Sequence, residues 1–268
     1  MEKQNIRREI TTSYYADISE AEEYTLRDKT LVHIIDYDAQ GKRVHESWRD
    51  CDPNEETSLG NWGVMYNDGL ESSNIKNGIA EGEYTHEQIA EDYRIVNYYG
   101  ANEQWTKEYN NEHLVYEERQ EGPIVTMDEY EYDEDGKMIL RKSASLDCED
   151  SAGDCEIVGD YEIVEYTYQD GKLFKEICYR CESSSIEEFF NGDYTKNENE
   201  IVRQYQYAES EELNGDERVV TVRKYDLTDN TPVKKTIRIY DNSHDRIIRE
   251  IELFLSGEQW VNETIYQY

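Results

Sequence analysis

The sequence predicts a mainly β protein: an antiparallel sheet of consecutive tyrosine-rich β-hairpins, arranged as a meander or an open barrel, with one to three short helices. Two observations support this prediction. The 268 residues include 24 Tyr but only 3 Pro, and aromatic residues at alternate positions favour strands. A short turn pattern also recurs along the chain. Disordered acidic chains are poor in aromatic residues, so we expect a folded core that relies on tyrosine.

The recurring pattern has tyrosines at alternate positions, then a polar turn with Asp and usually Gly, then Lys or Arg followed by an apolar residue. Its copies are Asp36 to Val44, Tyr130 to Met138, Tyr166 to Leu173 and, without the glycine, Tyr240 to Ile247. Each copy predicts a β-hairpin, because Gly tolerates the positive φ of a tight turn. Tyr130 and Tyr132 are expected on one face of their strand, with Glu129 and Glu131 on the other.

Further strands are predicted where apolar or β-branched residues alternate with polar ones. They are 31–37, 94–99, 114–119, 201–207, 219–225, 236–240 and 261–268. Helix starts are predicted at Ser19 and Thr85, which have capping-box spacing, and at Ser184. Residues 50–82 are rich in Asn, Gly and Ser and are interpreted as an irregular insertion. We expect a single domain over 1–268, with a sub-boundary near residue 92 as the alternative.

The sequence Tyr-x-Tyr-Asp-x-x-Gly-Lys at Tyr130 to Lys137 resembles the YD repeat of Rhs-type proteins and the short hairpin repeats of MORN-like antitoxin components. Four turns of the chain match, the copy at Gly171 is one residue shorter, and Lys137 stands where the family usually has Arg. In the Rhs family such repeats build coiled β-sheets around a toxin domain. The resemblance implies hairpin geometry for this chain and a place in a toxin–immunity system.

The chain has 5 cysteines, and an odd number does not suggest a disulfide scaffold. The spacing of Cys178 and Cys181 is that of a zinc knuckle, so Cys148, Cys155, Cys178 and Cys181 are the metal candidates. A separation of three along a strand places Cys178 and Cys181 on opposite faces, which argues against zinc. The alternatives are reduced thiols, or a disulfide between Cys148 and Cys155 in an oxidising compartment. We therefore expect no cofactor.

No catalytic motif is present in the sequence. The 5 histidines match no metalloprotease or triad pattern, and His33 and His45 are predicted to face each other across the first hairpin. The acidic turn from Asp133 is interpreted as an ordinary turn, because Ala144 occupies the place of the bidentate Glu of a calcium loop. Among 62 acidic residues no carboxylate pair is distinctive, so we expect the protein not to be an enzyme.

The net charge is −34, from 62 Asp and Glu against 28 Lys and Arg. This charge disfavours binding to nucleic acid and to anionic membranes. It also exceeds what solubility requires, which favours steering onto a basic partner. The predicted partner-binding residues are Asp128, Glu129, Glu131, Asp133, Glu134, Asp135, Glu209, Glu211 and Glu212.

The function expected from these features is a non-catalytic, acidic immunity or antitoxin-type inhibitor of a basic toxin domain, such as a nuclease. One alternative is a structural or adhesive YD- or MORN-like module whose sheet binds protein or glycan. Another is a carbohydrate-acting enzyme with a carboxylate pair in an aromatic groove. The chain has no run of 18 apolar residues and its first residues lack the apolar core of a signal peptide. The expected location is cytoplasmic, unless a signal peptide has been removed.

Overall fold

The computed structural model describes residues 6–19, 21–51, 62–67, 70–76, 79–100, 103–148, 156–157, 161–241, 245–256 and 259–268. Within these ranges the chain forms nineteen strands and one short helix. The elements are β1 (Arg8–Ile18), β2 (Tyr24–Tyr37), β3 (Arg43–Asp50), β4 (Trp62–Asn67), β5 (Leu70–Lys76), β6 (Ile79–Gln88), β7 (Tyr93–Gly100), β8 (Glu103–Asn110), β9 (His113–Glu121), β10 (Ile124–Tyr132), β11 (Met138–Asp147), β12 (Glu156–Ile157), β13 (Tyr161–Gln169), β14 (Lys172–Glu182), α1 (Ile186–Phe190), β15 (Thr195–Asn214), β16 (Glu217–Asp226), β17 (Pro232–Asp241), β18 (Arg246–Phe254) and β19 (Trp260–Gln267).

The predicted antiparallel hairpin meander is confirmed. Strands that are neighbours in sequence pair with each other, as β7 does with β8 and β8 with β9, and the described pairs are antiparallel. The chain divides into two compact units, Met1–Glu81 with Tyr207–Tyr268, and Gly82–Gln206. The sub-boundary considered near residue 92 falls inside the second of these units, between β6 and β7.

The recurring sequence pattern forms the same turn in two hairpins. In the β2–β3 turn the Asp38 carboxylate accepts hydrogen bonds from the main-chain N–H groups of Gln40 and Lys42, at 2.8 and 2.9 Å. In the β10–β11 turn Asp133 accepts from Asp135 and Lys137, at 3.0 and 2.8 Å. The glycine of each turn has a positive φ, 83° and 76°. The Asp and Gly of the pattern therefore determine the turn locally.

The first unit has a buried apolar cluster where β1, β18 and β19 meet. β1 pairs with both β2 and β19, so that Ile10 lies opposite Ile34 on one side and Ile265 on the other. The buried cluster consists of Ala16, Ile251, Leu253 and Val261. Glu22, in the β1–β2 connection, forms ion pairs with Arg223 and Lys235 at 3.1 and 2.8 Å.

The stretch 50–82, expected to be an irregular insertion, contains β4, β5 and the start of β6 where the structure describes it. Val64 pairs with Glu46 of β3 and Asn74 of β5, and it is 7% exposed. The expectation was wrong for these residues because strand pairing supplies partners for the backbone of a segment whose composition favours loops. Residues 52–61 lie outside the described part.

The second unit buries α1 against its sheet. The buried cluster there consists of Ala144, Tyr161, Ile163, Cys181 and Phe189. Phe189, from α1, is 0% exposed and stacks on Tyr161 with ring centroids 4.6 Å apart. We call the sheet face that α1 covers the α1 face, and the opposite side the charged face.

Among the described residues, one of the three predicted helices forms. Ser185 caps α1, its hydroxyl accepting the Glu188 N–H at 3.2 Å, which confirms the prediction near Ser184. The prediction at Thr85 was wrong, because these residues lie in β6 and pair with β7. The prediction at Ser19 was also wrong, since it lies in the connection from β1 to β2, where its hydroxyl accepts the Glu23 N–H. Cross-strand pairing outweighs a local capping signal at both places.

Candidate functional site

The β15–β16 hairpin ends in an exposed acidic segment. Every residue from 208 to 217 is exposed, and Gly215 at a φ of 64° lies in the turn. We call residues 208–217 the acidic hairpin. It contains no Lys or Arg. Its acidic residues are Glu209, Glu211, Glu212, Asp216 and Glu217.

The base of the acidic hairpin is anchored by Arg218. One guanidinium nitrogen lies 3.8 Å from the Glu211 carboxylate, another lies 2.8 Å from Asp245, and the group stacks over the Tyr240 ring at 4.2 Å. At the other end, Leu213 places a 66% exposed apolar side chain among the carboxylates. The hairpin thus presents a concentrated negative charge and one apolar side chain.

Three of the predicted binding residues, Glu209, Glu211 and Glu212, lie together in this hairpin. Sequence reasoning missed Asp216 and Glu217, which directly follow the turn glycine. The Asn-Gly signal at Asn214 and Gly215 could have identified them as the return side of the same turn.

The predicted residues of β10 are divided between the two faces of the sheet. On the α1 face, Lys142 Nζ lies 2.7 Å from Glu129 and 3.4 Å from Glu131, and it donates to the Phe190 carbonyl at 3.1 Å. Burial alone would lower the pKa of Lys142, but the two carboxylates outweigh it and the pKa is raised. Asp128 lies on the charged face. Glu129 and Glu131 therefore hold Lys142 and, through it, α1.

The predicted residues of the β10–β11 turn are largely structural. Asp133 holds the turn through two main-chain N–H groups, and Asp135 lies 3.0 Å from Lys137 Nζ. Glu134 is exposed at the tip of the turn. The nine predicted residues therefore do not form one surface.

The cysteines of the predicted zinc-knuckle pair, Cys178 and Cys181, are not brought together. Cys178 pairs with Val164 and Cys181 with Tyr161, which places the two thiols on opposite faces as expected. Both are free and buried, and burial raises the pKa of Cys178 to about 12 and of Cys181 to about 11. A raised pKa disfavours the thiolate that zinc requires. Cys148 is in a disulfide, and Cys155 lies outside the described residues.

A buried carboxylate on β3 of the first unit was not predicted. Glu46 is 8% exposed and accepts from His33 at 2.7 Å and from the Tyr66 hydroxyl at 2.6 Å. An Arg43 nitrogen lies 3.5 Å away. Burial would raise the pKa of Glu46, but these partners outweigh it and the pKa is lowered. The donors of this carboxylate come from β2 and β4, and contacts between separate strands have no fixed sequence spacing by which to find them.

The predicted pairing of His33 with His45 was wrong. In the β2–β3 register His33 lies opposite Trp48, and His45 lies opposite Asp36. The two histidines therefore point to opposite faces, because their strand positions differ in parity. The His33 ring instead stacks on Trp48, with centroids 4.8 Å apart and planes 3° from parallel.

The charged face of the second unit carries a row of ionic side chains across neighbouring strands. The register places Lys107 opposite Glu117, and Glu117 opposite Asp128. Lys107 Nζ lies 3.3 Å from Glu117, and Arg141 Nε lies 3.6 Å from Asp128. Of this row, sequence reasoning identified only Asp128. The other residues of the row come together through strand pairing, which the sequence pattern does not reveal.

A pocket of about 460 Å³ opens on this face along β9 and β10. Its lining residues are Glu117, Arg119, Glu121, Ile124, Thr126 and Asp128. Burial raises the pKa of Asp128, and the nearby carboxylates of Glu117 and Glu162 raise it further, against the opposing effects of Ser143 and Arg141. The pocket thus contains a carboxylate whose ionised form is disfavoured by burial and by neighbouring carboxylates.

No protein-family model matches this chain, and no curated protein sequence matches it. Two solved structures show a weak similarity to it over nearly the whole chain. One is a porin-like protein from Bacteroides uniformis ATCC 8492, with 8% identity, a TM-score of 0.35, and coverage of 98% of this chain and 96% of that one. The other is a porin-like protein from Bacteroides vulgatus ATCC 8482, with 9% identity, a TM-score of 0.31, and coverage of 99% and 98%.

The expected cytoplasmic location is corrected by the state of one cysteine. Cys148 forms a disulfide, and such bonds persist mainly in oxidising compartments.

Among the described residues, no helix is long and apolar enough to cross a membrane.

Proposed function

We propose that this protein is a non-catalytic binding protein that docks on a basic protein partner through the acidic hairpin. The observation that supports this most is the exposure of the whole segment 208–217, with five acidic residues and no basic one. Within this segment the negative side chains follow one another closely along the chain and are all exposed to solvent.

The physical basis of the proposal is electrostatic steering. A protruding group of like charges attracts a cationic surface over distances of about a Debye length, roughly 10 Å at moderate salt. Complementary charge of this kind raises the association rate more than the final affinity. Leu213 supplies an apolar contact once the charged surfaces meet.

The kind of partner follows from chemistry that complements the hairpin. A domain that grips phosphate carries a basic surface, and an anionic hairpin can occupy that surface. A toxin domain, such as a nuclease, is the partner that agrees with the resemblance of Tyr130 to Lys137 to YD repeats. The proposal assigns the protein the role of an immunity or antitoxin-type inhibitor.

The test uses the full chain as bait and compares two variants that have lost the same charge. In the hairpin variant the acidic residues become amides: Glu209→Gln, Glu211→Gln, Glu212→Gln, Asp216→Asn and Glu217→Gln. The control variant changes exposed acids elsewhere: Asp28→Asn, Glu83→Gln, Glu87→Gln, Glu198→Gln and Glu200→Gln. Any basic protein captured from the host at low salt is then purified, and its toxic activity is assayed with and without each bait.

We expect the wild type and the control variant to bind and inhibit the captured protein. The hairpin variant should associate more slowly, and the difference should shrink at high salt. An equal loss of association rate in the hairpin variant and the control variant would show that net charge, and not the acidic hairpin, determines binding. Capture of a basic protein whose activity the bait leaves unchanged would contradict the inhibitor role.

A further inference from the structure

The sequence Asn-Gly-Asp occurs twice in the chain, in two different structural settings. One copy, residues 191–193, directly follows α1, and the other, residues 214–216, lies at the tip of the acidic hairpin. All residues of both copies are exposed, and both glycines have a positive φ, 93° and 64°. Local sequence and exposure are therefore matched, so a difference in reactivity between the copies must come from how the structure holds them.

An Asn-Gly pair can lose its side-chain amide without an enzyme. The main-chain nitrogen of the glycine bonds to the side-chain carbonyl carbon of the asparagine. The bond from that carbon to the amide nitrogen then breaks, and ammonia leaves with the proton of the glycine N–H. Water opens the resulting cyclic imide and gives aspartate or isoaspartate. Glycine favours this reaction because it has no Cβ atom to obstruct the ring.

The copy that follows α1 is held by main-chain hydrogen bonds. The Gly192 N–H, which carries the attacking nitrogen, donates to the Phe189 carbonyl at 3.1 Å, and the Asn191 N–H donates to the Glu187 carbonyl at 3.0 Å. The Phe189 side chain is 0% exposed. The nitrogen of Gly192 therefore becomes free to react only when the end of α1 opens, and the buried ring opposes that opening.

The copy in the acidic hairpin is not held in this way. β15 ends at Asn214 and β16 begins at Glu217, so Gly215 and Asp216 form a two-residue turn. Such a turn closes through a bond between its flanking residues, which leaves the N–H of the first turn residue outside it. Among the described residues, no main-chain acceptor lies within hydrogen-bond reach of the Gly215 N–H. Leu213 is 66% exposed, so apolar packing does not restrain the tip either.

We propose that Asn214 is a site of spontaneous deamidation in the folded protein, and that the fold protects Asn191 from the same reaction. The product adds one carboxylate to the five of the acidic hairpin. The isoaspartate product also lengthens the main chain by one carbon atom at the end of β15. This inference concerns the chemistry of the hairpin and does not depend on what the hairpin binds.

The experiment compares the two sites within the same molecule. The full chain is incubated at neutral pH, either folded or in urea, and is then digested with trypsin. Trypsin releases peptide 181–196, which contains Asn191, and peptide 204–218, which contains Asn214. Mass spectrometry measures the fraction of each peptide in which an amide has become a carboxylate.

In the folded protein we expect peptide 204–218 to react faster than peptide 181–196 by roughly tenfold, the factor for a hydrogen bond that must open first. In urea the two rates should be equal, since the local sequences are the same. Equal rates in the folded protein, or a faster reaction of peptide 181–196, would overturn the proposal. A tenfold difference that persists in urea would also overturn it, because the fold would not be the cause.

Two variants serve as controls, with circular dichroism to establish that each is folded. Asn214→Gln should leave peptide 204–218 unmodified, since glutamine would have to form a larger ring; modification that persists would place the reaction at Gln204 or Gln206. Ser185→Ala removes the cap of α1 and should accelerate the reaction at Asn191 several-fold while the rate at Asn214 stays the same. No acceleration at Asn191 would contradict protection by α1.

Discussion

The hydroxyl of Tyr168 donates a 2.9 Å hydrogen bond to the main-chain carbonyl of Met138. Tyr168 lies near the end of β13, and Met138 begins β11, the strand that pairs with it. Tyr132, near the end of β10, makes the equivalent bond to the Leu114 carbonyl at 2.8 Å. Tyrosines of the recurring pattern therefore tie the start of one strand to the end of its neighbour.

This relationship predicts the stability of two variants of Tyr168. Tyr168→Phe removes only the hydroxyl and should lower the free energy of unfolding by about 1 kcal/mol. Tyr168→Ala also removes the ring and should cost roughly 3 kcal/mol. Urea denaturation measures both. Tyr99→Phe is the matched control, since Tyr99 is 53% exposed, and it should have no measurable effect. A wild-type midpoint for Tyr168→Ala would contradict the structural role of this ring.

Lys142 is predicted to hold α1 in place. Lys142→Met leaves the carboxylates of Glu129 and Glu131 without their cation and the Phe190 carbonyl without a donor. Both carboxylates are partly exposed, so we expect a loss of about 2 kcal/mol, below the range for fully buried pairs. Hydrogen exchange should show faster opening of α1. In the double variant with Glu129→Gln the additional cost of Lys142→Met should shrink, and simple additivity would refute the coupling.

Glu46 predicts a specific pH dependence. Burial opposes ionisation, but His33, Tyr66 and Arg43 hold the pKa of the folded state below its ordinary value of 4.5. The ionised group therefore stabilises the fold above that value, and its contribution disappears as the pH falls through the lowered pKa. Glu46→Gln should be less stable than the wild type at neutral pH, with a difference that narrows in acid. A difference independent of pH, measured by urea denaturation, would be inconsistent with this pKa.

For Asp128 we expect a pH dependence of stability with the opposite sign to that of Glu46. Its pKa is raised above 3.8 by burial and by Glu117 and Glu162. Its ionised form therefore costs stability above the folded-state pKa, and that cost vanishes below the unfolded value. Asp128→Asn should be as stable as the wild type or more so at neutral pH, and the gain should be lost in acid. Thermal denaturation of Asp128→Asn and of the wild type at neutral and at acid pH provides the test. A large loss of stability in the variant at neutral pH would contradict the raised pKa of Asp128.

The Tyr98 ring lies so close to Gly82 that we expect no larger residue to fit at position 82 without a loss of stability. A Cβ atom at Gly82 or at Gly100 would lie less than 3.0 Å from that ring, which is 6% exposed. Gly82→Ala should therefore destabilise by about 1–3 kcal/mol through overpacking. In a Tyr98→Val background the same substitution should cost much less. Equal destabilisation by Gly82→Ala in both backgrounds would show that contact with the Tyr98 ring is not its cause.

Much of the local structure was predictable because its causes lie within a few residues. Asp133 and Gly136 determine their turn by a side-chain hydrogen bond and a positive φ, and Asp38 and Gly41 repeat it. The opposite faces of Cys178 and Cys181 follow from the period of two along a strand. The hairpin class of the fold was predictable for the same reason.

The amino-acid sequence by itself determined the hairpins, their turns and the excess of negative charge. Only the tertiary structure decided which cation or donor each carboxylate meets: Glu131 faces Lys142, Glu46 meets His33 and Tyr66, and Asp128 faces Arg141. The physical reason is that alternation along a strand is local, whereas cross-strand register depends on pairing between distant segments. A shift of one residue would exchange the faces and regroup every one of these charges.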